Sequence, residues 1–265
     1  MKSVEEKSNE YKQAIKEYDV FDISLWWAPY YEETFKKYNV EDKLFEDHKN
    51  YEINGGMLTA RYAAFNDYKL GTEDAIDLVK NRENYYASCV IAPEQFYVPE
   101  EGYDYLKEAK KKKVIAARIY PERFYFSTKE YTIGSMCEVL ESLDMPLILW
   151  HIDTGWDSID EICSNHPKLK VIIDSMDRKL LYHQRDYISL MKKHENLYIE
   201  NHNLVLFNEY DVIDKYCGPY HLMYGSFFPY MDPDFSLYPI YASGLTEEKK
   251  QLIYSGNAKR VFNIN

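Results

Sequence analysis

The chain has 265 residues, 46% of them hydrophobic and 29% charged, which excludes a disordered, collagen-like or small disulfide-scaffold protein. Its 32 basic and 44 acidic side chains leave a formal net charge of −12, a poor balance for binding nucleic acid or an anionic membrane through bulk charge. Twenty-seven tyrosines stand beside only 10 glycines and 10 prolines, and a ring with a polar tip suits wet pockets and interfaces.

Residues 1–18 are expected to form a helix packed on a single domain that spans 1–265, since no Pro/Gly/Ser-rich linker divides the chain. Residues 1–19 hold no apolar core of the signal-peptide kind, and the longest apolar run, 145–150, is too short to span a bilayer. Cys89, Cys137, Cys163 and Cys217 form no CxxC pair, so they read as reduced, mostly buried thiols in a cytoplasmic protein, with surface disulfides the alternative.

Eight strand-like runs follow in order: 20–26 (VFDISLW), 57–65 (MLTARYAAF), 85–92 (YYASCVIA), 114–120 (VIAARIY), 146–153 (PLILWHID), 170–176 (KVIIDSM), 196–202 (NLYIENH) and 221–228 (HLMYGSFF). Most are near-continuous apolar runs, as strands covered on both faces should be. Helical patterns fill the gaps at 72–81, 128–143, 157–166 and 184–193, and the lysine run 107–113 reads as a solvated helix end. Eight alternations predict an α/β fold, a (β/α)8 TIM barrel. A doubly wound open sheet is the alternative, but neither a GxGxxG nor a Walker loop occurs. The weakly patterned stretch 39–56 suggests a helix and a loop over the barrel mouth.

In a barrel the active site forms where strands end. Those positions carry Asp22, Ser24 and Trp26, then Arg61, then Arg118 and Tyr120. His151 and Asp153, Asp174 and Ser175, Glu200 and His202, and Ser226 and Phe227 complete the ring.

The segments VFDISLW, VIAARIYP, PLILWHID with DSIDEICSNHPKLKVIIDSM, LMYGSFFPYMDP and LTEEKKQLIYSGNAKRVFNI together resemble the amidohydrolase-related family of TIM-barrel metal-dependent hydrolases and decarboxylases. The tail GNAKRVFNI is the most specific piece. The departures fall on the family's metal ligands. Its first-strand His-x-His falls on Ser24 and Trp26, its strand-6 histidine on Ser175 and its final aspartate on Phe227. Only the strand-5 histidine survives, as His151. A hydroxyl is a poor ligand for a divalent metal and an indole is none, so the resemblance implies a branch with a degenerate metal site and no cofactor.

His151 is expected to act as acid/base, with the alternative of a hydrogen-bonded core histidine. Asp22 and Asp174, carboxylates inside apolar strands, are expected either as its proton partners or as buried salt bridges to Arg61 or Arg118. Arg118 and Arg61 are candidate anion clamps. Trp26, Tyr120, Ser175, Glu200 and His202 are candidate substrate contacts. Glu200 and His202 point the same way on a strand, so His151, Asp174, Glu200 and His202 form an alternative, relocated metal site. The remaining histidines, His48 among them, read as surface or structural.

The expected function is a hydrolase or lyase acting on a small polar or carboxylated molecule without the family's metal; a non-catalytic ligand-binding barrel is the alternative. Neither nucleic acid nor a membrane is an expected partner. Tyr120, Tyr224 and Tyr230 are expected at the mouth. Tyr30, Tyr31, Tyr38, Tyr51, Tyr85 and Tyr86 are candidates for an interface between copies of the chain.

Overall fold

The protein is described by a computed structural model covering residues 3–28, 41–176, 180–206 and 208–265. Three of the interface candidates, Tyr30, Tyr31 and Tyr38, lie outside the described residues.

Eight strands run β1 (Phe21–Trp27), β2 (Gly55–Ala60), β3 (Tyr85–Val90), β4 (Val114–Ile119), β5 (Leu147–Trp150), β6 (Val171–Asp174), β7 (Leu197–Glu200) and β8 (Leu222–Met223). Each lies beside its sequence neighbour, β1 to β8 in order, and all pairs are parallel. The Ile23 N–H donates to the Tyr224 carbonyl at 3.1 Å and the Trp26 N–H to the Phe228 carbonyl at 2.8 Å, which brings the end of the sheet back to β1. This sequential, nearly closed order is that of a (β/α)8 barrel and excludes the doubly wound sheet, whose strand order reverses.

Parallel neighbours need crossovers, and helices supply them. The described α-helices are α1 (Val4–Ala14), α2 (Glu41–Lys49), α3 (Arg61–Phe65), α4 (Tyr68–Val79), α5 (Pro99–Lys111), α6 (Glu130–Ser142), α7 (His151–Thr154), α8 (Trp156–Asn165), α9 (Gln184–Lys193), α10 (Glu209–Cys217), α11 (Asp234–Ala242), α12 (Glu247–Gln251) and α13 (Asn257–Phe262), of which α2 to α10 lie between strands. In α1, Ser3 and Glu6 form a capping box, and Tyr11 on its buried side donates to Asp234 at 2.6 Å and meets the Tyr238 ring edge-on at 5.2 Å. No described helix is long and apolar enough to cross a membrane.

Two strand boundaries differ from expectation, and both matter for the site. The run 57–65 leaves the sheet at Ala60, so Arg61 opens α3 instead of lying in a strand. Periodicity cannot separate a short apolar helix from a strand, and RYAAF is such a case. Tight packing holds it there: a Cβ on Gly71 of α4 would come within 2.1 Å of the Ala63 nitrogen. Likewise β5 stops at Trp150, and His151 is the first residue of α7.

Side chains inside the barrel stack in layers. Phe21, Ile23, Met57, Ile148, Ile172, Tyr198 and Met223 fill its lower half, and Ala258, Val261 and Phe262 of α13 close the end opposite the mouth. Asn257 ties α13 to β8 by donating to the Pro219 and Leu222 carbonyls, both at 2.8 Å. The asparagine of the GNAKRVF tail is therefore an architectural group. An upper layer of Trp26, Val90, Tyr120, Trp150, Met176 and Phe227 lies at the mouth. Tyr224 belongs to the layer between sheet and helices, not to the mouth where it was expected. Tyr85 is buried, which removes it from the interface candidates, whereas Tyr51 and Tyr86 are half-buried.

Candidate active site

Strands β4, β6 and β7 deliver Arg118, Asp174 and Glu200 to the upper interior, where all three are almost fully buried. Arg118 Nη1 donates to Asp174 Oδ2, and its Nη2 lies 3.4 Å from the Ile23 carbonyl. The other Asp174 oxygen accepts the Met176 N–H at 2.9 Å. Arg118 is thus a structural partner of Asp174, the second of its two expected roles, and its guanidinium is already engaged.

Glu200 is the hub of a second set. Its Oε2 accepts from the Ser175 hydroxyl at 3.0 Å and from His202 Nδ1, and its Oε1 accepts the His202 N–H at 2.7 Å. Burial works against charging the His202 ring, but the Glu200 carboxylate carries its pKa above the ordinary value, with Asp174 and Asp22 adding. The Ser175 hydroxyl also lies 3.2 Å from His202 Nδ1. Serine and glutamate therefore share one ring nitrogen. That rules out a Ser–His–Glu nucleophilic triad, which uses both nitrogens. His202 Nε2 is buried with no hydrogen-bond partner among the described residues.

Phe227 covers this cluster. Its ring lies flat on His202, centroids 4.8 Å apart and planes 7° apart, and the Tyr230 ring stacks on Phe227 at 4.9 Å. Phe227 has φ 57°, a left-handed conformation uncommon for a bulky residue. The Tyr230 and Met231 N–H groups hold it by donating to the Phe227 carbonyl at 2.9 and 3.1 Å.

Asp22 joins a different buried set. Its Oδ1 accepts the Ser24 and Ser226 N–H groups at 2.8 and 2.9 Å, and its Oδ2 accepts the Ser226 hydroxyl and faces His48 Nε2 at 2.9 Å. His48 Nδ1 reaches the Tyr85 hydroxyl at 3.1 Å. The expected partners Arg61 and Arg118 are not involved. Asp22 instead links β1, the segment after β8 and α2. Ser24 Oγ accepts from Trp26 Nε1 at 3.2 Å, which fixes the indole in the mouth.

His151 is buried, with Nδ1 3.4 Å from the Asp174 carbonyl and its ring 5.3 Å from Trp156 and 5.7 Å from His183. It meets the backbone of Asp174, not the carboxylate. Two residues on, Asp153 is 5% exposed and its Oδ2 has no partner among the described residues. Burial lifts its carboxyl to about 6, opposed by Arg123 and reinforced by Glu122. The folded state therefore keeps this proton at pH values where the unfolded chain, near 3.9, has lost it. Stability contributed by the protonated group is present below that window and falls as pH rises from 4 to 6. Asp153→Asn should remove this slope and stabilise the protein at pH 7 by about 1–2 kcal/mol, read from urea unfolding at pH 4.5 and 7.

Arg123 went unnoticed in the sequence because it follows the strand in YPERF. Its Cζ lies 3.7 Å from the Phe65 ring centroid, 5.0 Å from Trp150 and 5.7 Å from Tyr120. Arg61 packs on the same Phe65 ring at 3.9 Å and near Tyr230 at 5.5 Å.

No family model matches the chain, and comparison with curated proteins gives no match. Solved structures do match. A putative amidohydrolase from Staphylococcus aureus superposes with TM-score 0.71 at 14% identity, over 93% of this chain and 99% of that one. This chain shares that (β/α)8 barrel fold. A 2,6-dihydroxybenzoate decarboxylase from Rhizobium aligns with TM-score 0.67 at 13% identity, over 93% and 98% of the two chains. A dihydroxybenzoic acid decarboxylase from Polaromonas, with bound manganese and 2-nitroresorcinol, aligns with TM-score 0.68 at 11% identity, over 93% and 97%.

The expectation of no cofactor is corrected here. Asp174, Glu200 and His202 each offer a ligand atom, and these atoms lie within 4.8 Å of one another, all buried. A manganese ion is bound in the Polaromonas neighbour of the same fold. These three donors belong to the relocated site that the sequence offered as the alternative; its fourth member, His151, is not among the clustered ligand atoms. Two carboxylates and an imidazole suit a divalent ion such as manganese or zinc, and the orphaned His202 Nε2 is a fitting donor.

Proposed function

We propose that this barrel is a divalent-metal-dependent hydrolase or lyase acting on a small carboxylated molecule. The carrying observation is the convergence of Asp174, Glu200 and His202 at the C-terminal ends of β6 and β7. The acids bound or named in the decarboxylase neighbours support a carboxylated substrate.

A divalent ion held by the triad would supply Lewis-acid polarisation of a substrate oxygen. The chain's own residues do the rest. Glu200 binds His202 Nδ1, which fixes the tautomer and leaves Nε2 as the free donor atom. Ser175 holds the Glu200 carboxylate in place. His151, buried beside Asp174 with the Trp156 and His183 rings against it, is the proton carrier. Trp26 and Tyr120 wall the site and exclude water, and Arg61 meets the substrate at the rim. Asp22, with both oxygens satisfied by its own chain, acts by holding β1 to the segment after β8 and not by moving a proton.

A second reading, a ligand-binding barrel without catalysis, is favoured by the Phe227 ring flat on His202 and by Arg118 on Asp174. One experiment separates them. Protein prepared without chelators is supplied with manganese or zinc and offered a panel of benzoic and unsaturated dicarboxylic acids, with product followed by absorbance and CO2 release. Metal-dependent turnover that falls about 100-fold or more in His151→Ala is expected. Bound metal with no turnover of any acid selects the second reading.

A further inference from the structure

The proposed substrate carries a carboxylate, and Arg118, the cation first expected to receive it, is paired with Asp174. The charge must be met elsewhere. Two of the unsatisfied donors at the mouth belong to residues that touch each other. Trp150, 9% exposed, has an Nε1–H with no acceptor among the described residues, and the same holds for Arg123 Nε. The two residues are in contact, with the guanidinium carbon 5.0 Å from the indole. Among the described residues Arg123 makes no salt bridge, and although its charge acts on the Asp153 carboxyl, Asp153 Oδ2 and Arg123 Nε both lack a hydrogen-bond partner. A buried indole N–H without an acceptor is costly in a folded protein, which marks it as a group kept for a ligand.

Building on the function proposed above, we infer that Arg123 and Trp150 Nε1 form an anion subsite that receives the carboxylate of a substrate with a planar, apolar body. The Phe65 ring positions the subsite. Both guanidinium carbons lie within 4 Å of its centroid, at 3.9 and 3.7 Å, so the one ring helps fix the position of the Arg123 guanidinium as well as that of Arg61. A planar fork beside an indole N–H matches the two oxygens of a carboxylate. The apolar body then meets Trp26, Tyr120, Trp150 and Phe227, the aromatic members of the mouth layer. Tyr120 connects this subsite to the triad, since it lies 5.7 Å from Arg123 and faces Arg118, the partner of Asp174.

The test uses benzoate as probe, with benzamide as its neutral counterpart and phenyl phosphate as a second anion. Binding to full-length protein is measured by calorimetry without added metal and without reference to turnover. The subsite can therefore fail while the metal-dependent reading stands, or stand while that reading fails. Benzoate should bind the wild-type protein and benzamide should bind at least about tenfold more weakly. Arg123→Gln should weaken benzoate by about tenfold or more, Arg123→Lys should recover part of the loss, and Trp150→Phe should weaken benzoate while sparing benzamide. Phenyl phosphate binding more tightly than benzoate would replace the carboxylate by a phosphate ester as the ligand class and overturn that part of the proposal. Equal benzoate binding by wild type and Arg123→Gln, or binding by neither, overturns the subsite; circular dichroism of each variant confirms that it is folded.

Discussion

Arg118→Met should lower the unfolding free energy by about 3–5 kcal/mol, one of the two largest effects expected in this protein. Arg118 and Asp174 are each 2% exposed, and each is the other's charge partner. Removing the guanidinium leaves a buried carboxylate with only the Met176 N–H at 2.9 Å still bonded to it. The cost is that of the stranded charge and not the net worth of the pair. Arg118→Met combined with Asp174→Leu should therefore recover most of the loss, because two apolar groups of similar size leave nothing unpaired. Urea midpoints of the two variants check this, and a single variant as stable as the wild type would show that Asp174 has another counter-charge. The triad adds a further consequence. Asp174 without Arg118 is open to a metal ion, so manganese should restore more stability to Arg118→Met than it adds to the wild-type protein.

The strands were legible because each is buried on both faces and so reads as an apolar run; the ladder of eight runs predicted all eight strands in order. Their ends were not legible. RYAAF and HIDT continue apolar or mixed patterns, and only packing against neighbouring helices decides that Arg61 and His151 leave the sheet. The site divides in the same way. Asp174, Ser175, Glu200 and His202 were readable as strand-end residues, and the i, i+2 spacing of the last two already placed them on one side. Partnership was hidden, because it depends on elements far apart in sequence. His48 lies 26 residues from Asp22 and Ser226 lies 204 residues from it, yet these two satisfy its Oδ2. Arg123 was invisible for a related reason: its importance comes from Phe65 and Trp150, on either side of it in the chain, and no motif joins the three.

Manganese should raise the melting temperature of the wild-type protein by about 5–10 °C at a concentration near 100 times Kd, and this rise should vanish in His202→Phe. Phenylalanine keeps a flat ring for Phe227 to stack on, so the variant removes the donor nitrogens while preserving the contact at 4.8 Å. Glu200→Gln is the more discriminating change. Glutamine fits the same space, which is tight: a Cβ on Gly225 would come within 2.3 Å of Glu200 Oε1, so this glycine is what admits the side chain. The amide can still accept the His202 N–H, but it loses one acceptor oxygen and its charge, and with them the hold on His202 Nδ1 and the Ser175 hydroxyl. Metal affinity should drop by about 10–100-fold even if Glu200 only orients His202, and further if it ligates the ion directly. Calorimetric titration with manganese distinguishes these cases by magnitude. An unchanged affinity in both variants would move the ion away from β7 altogether, and with it the reason for assigning His151 as the proton carrier beside it.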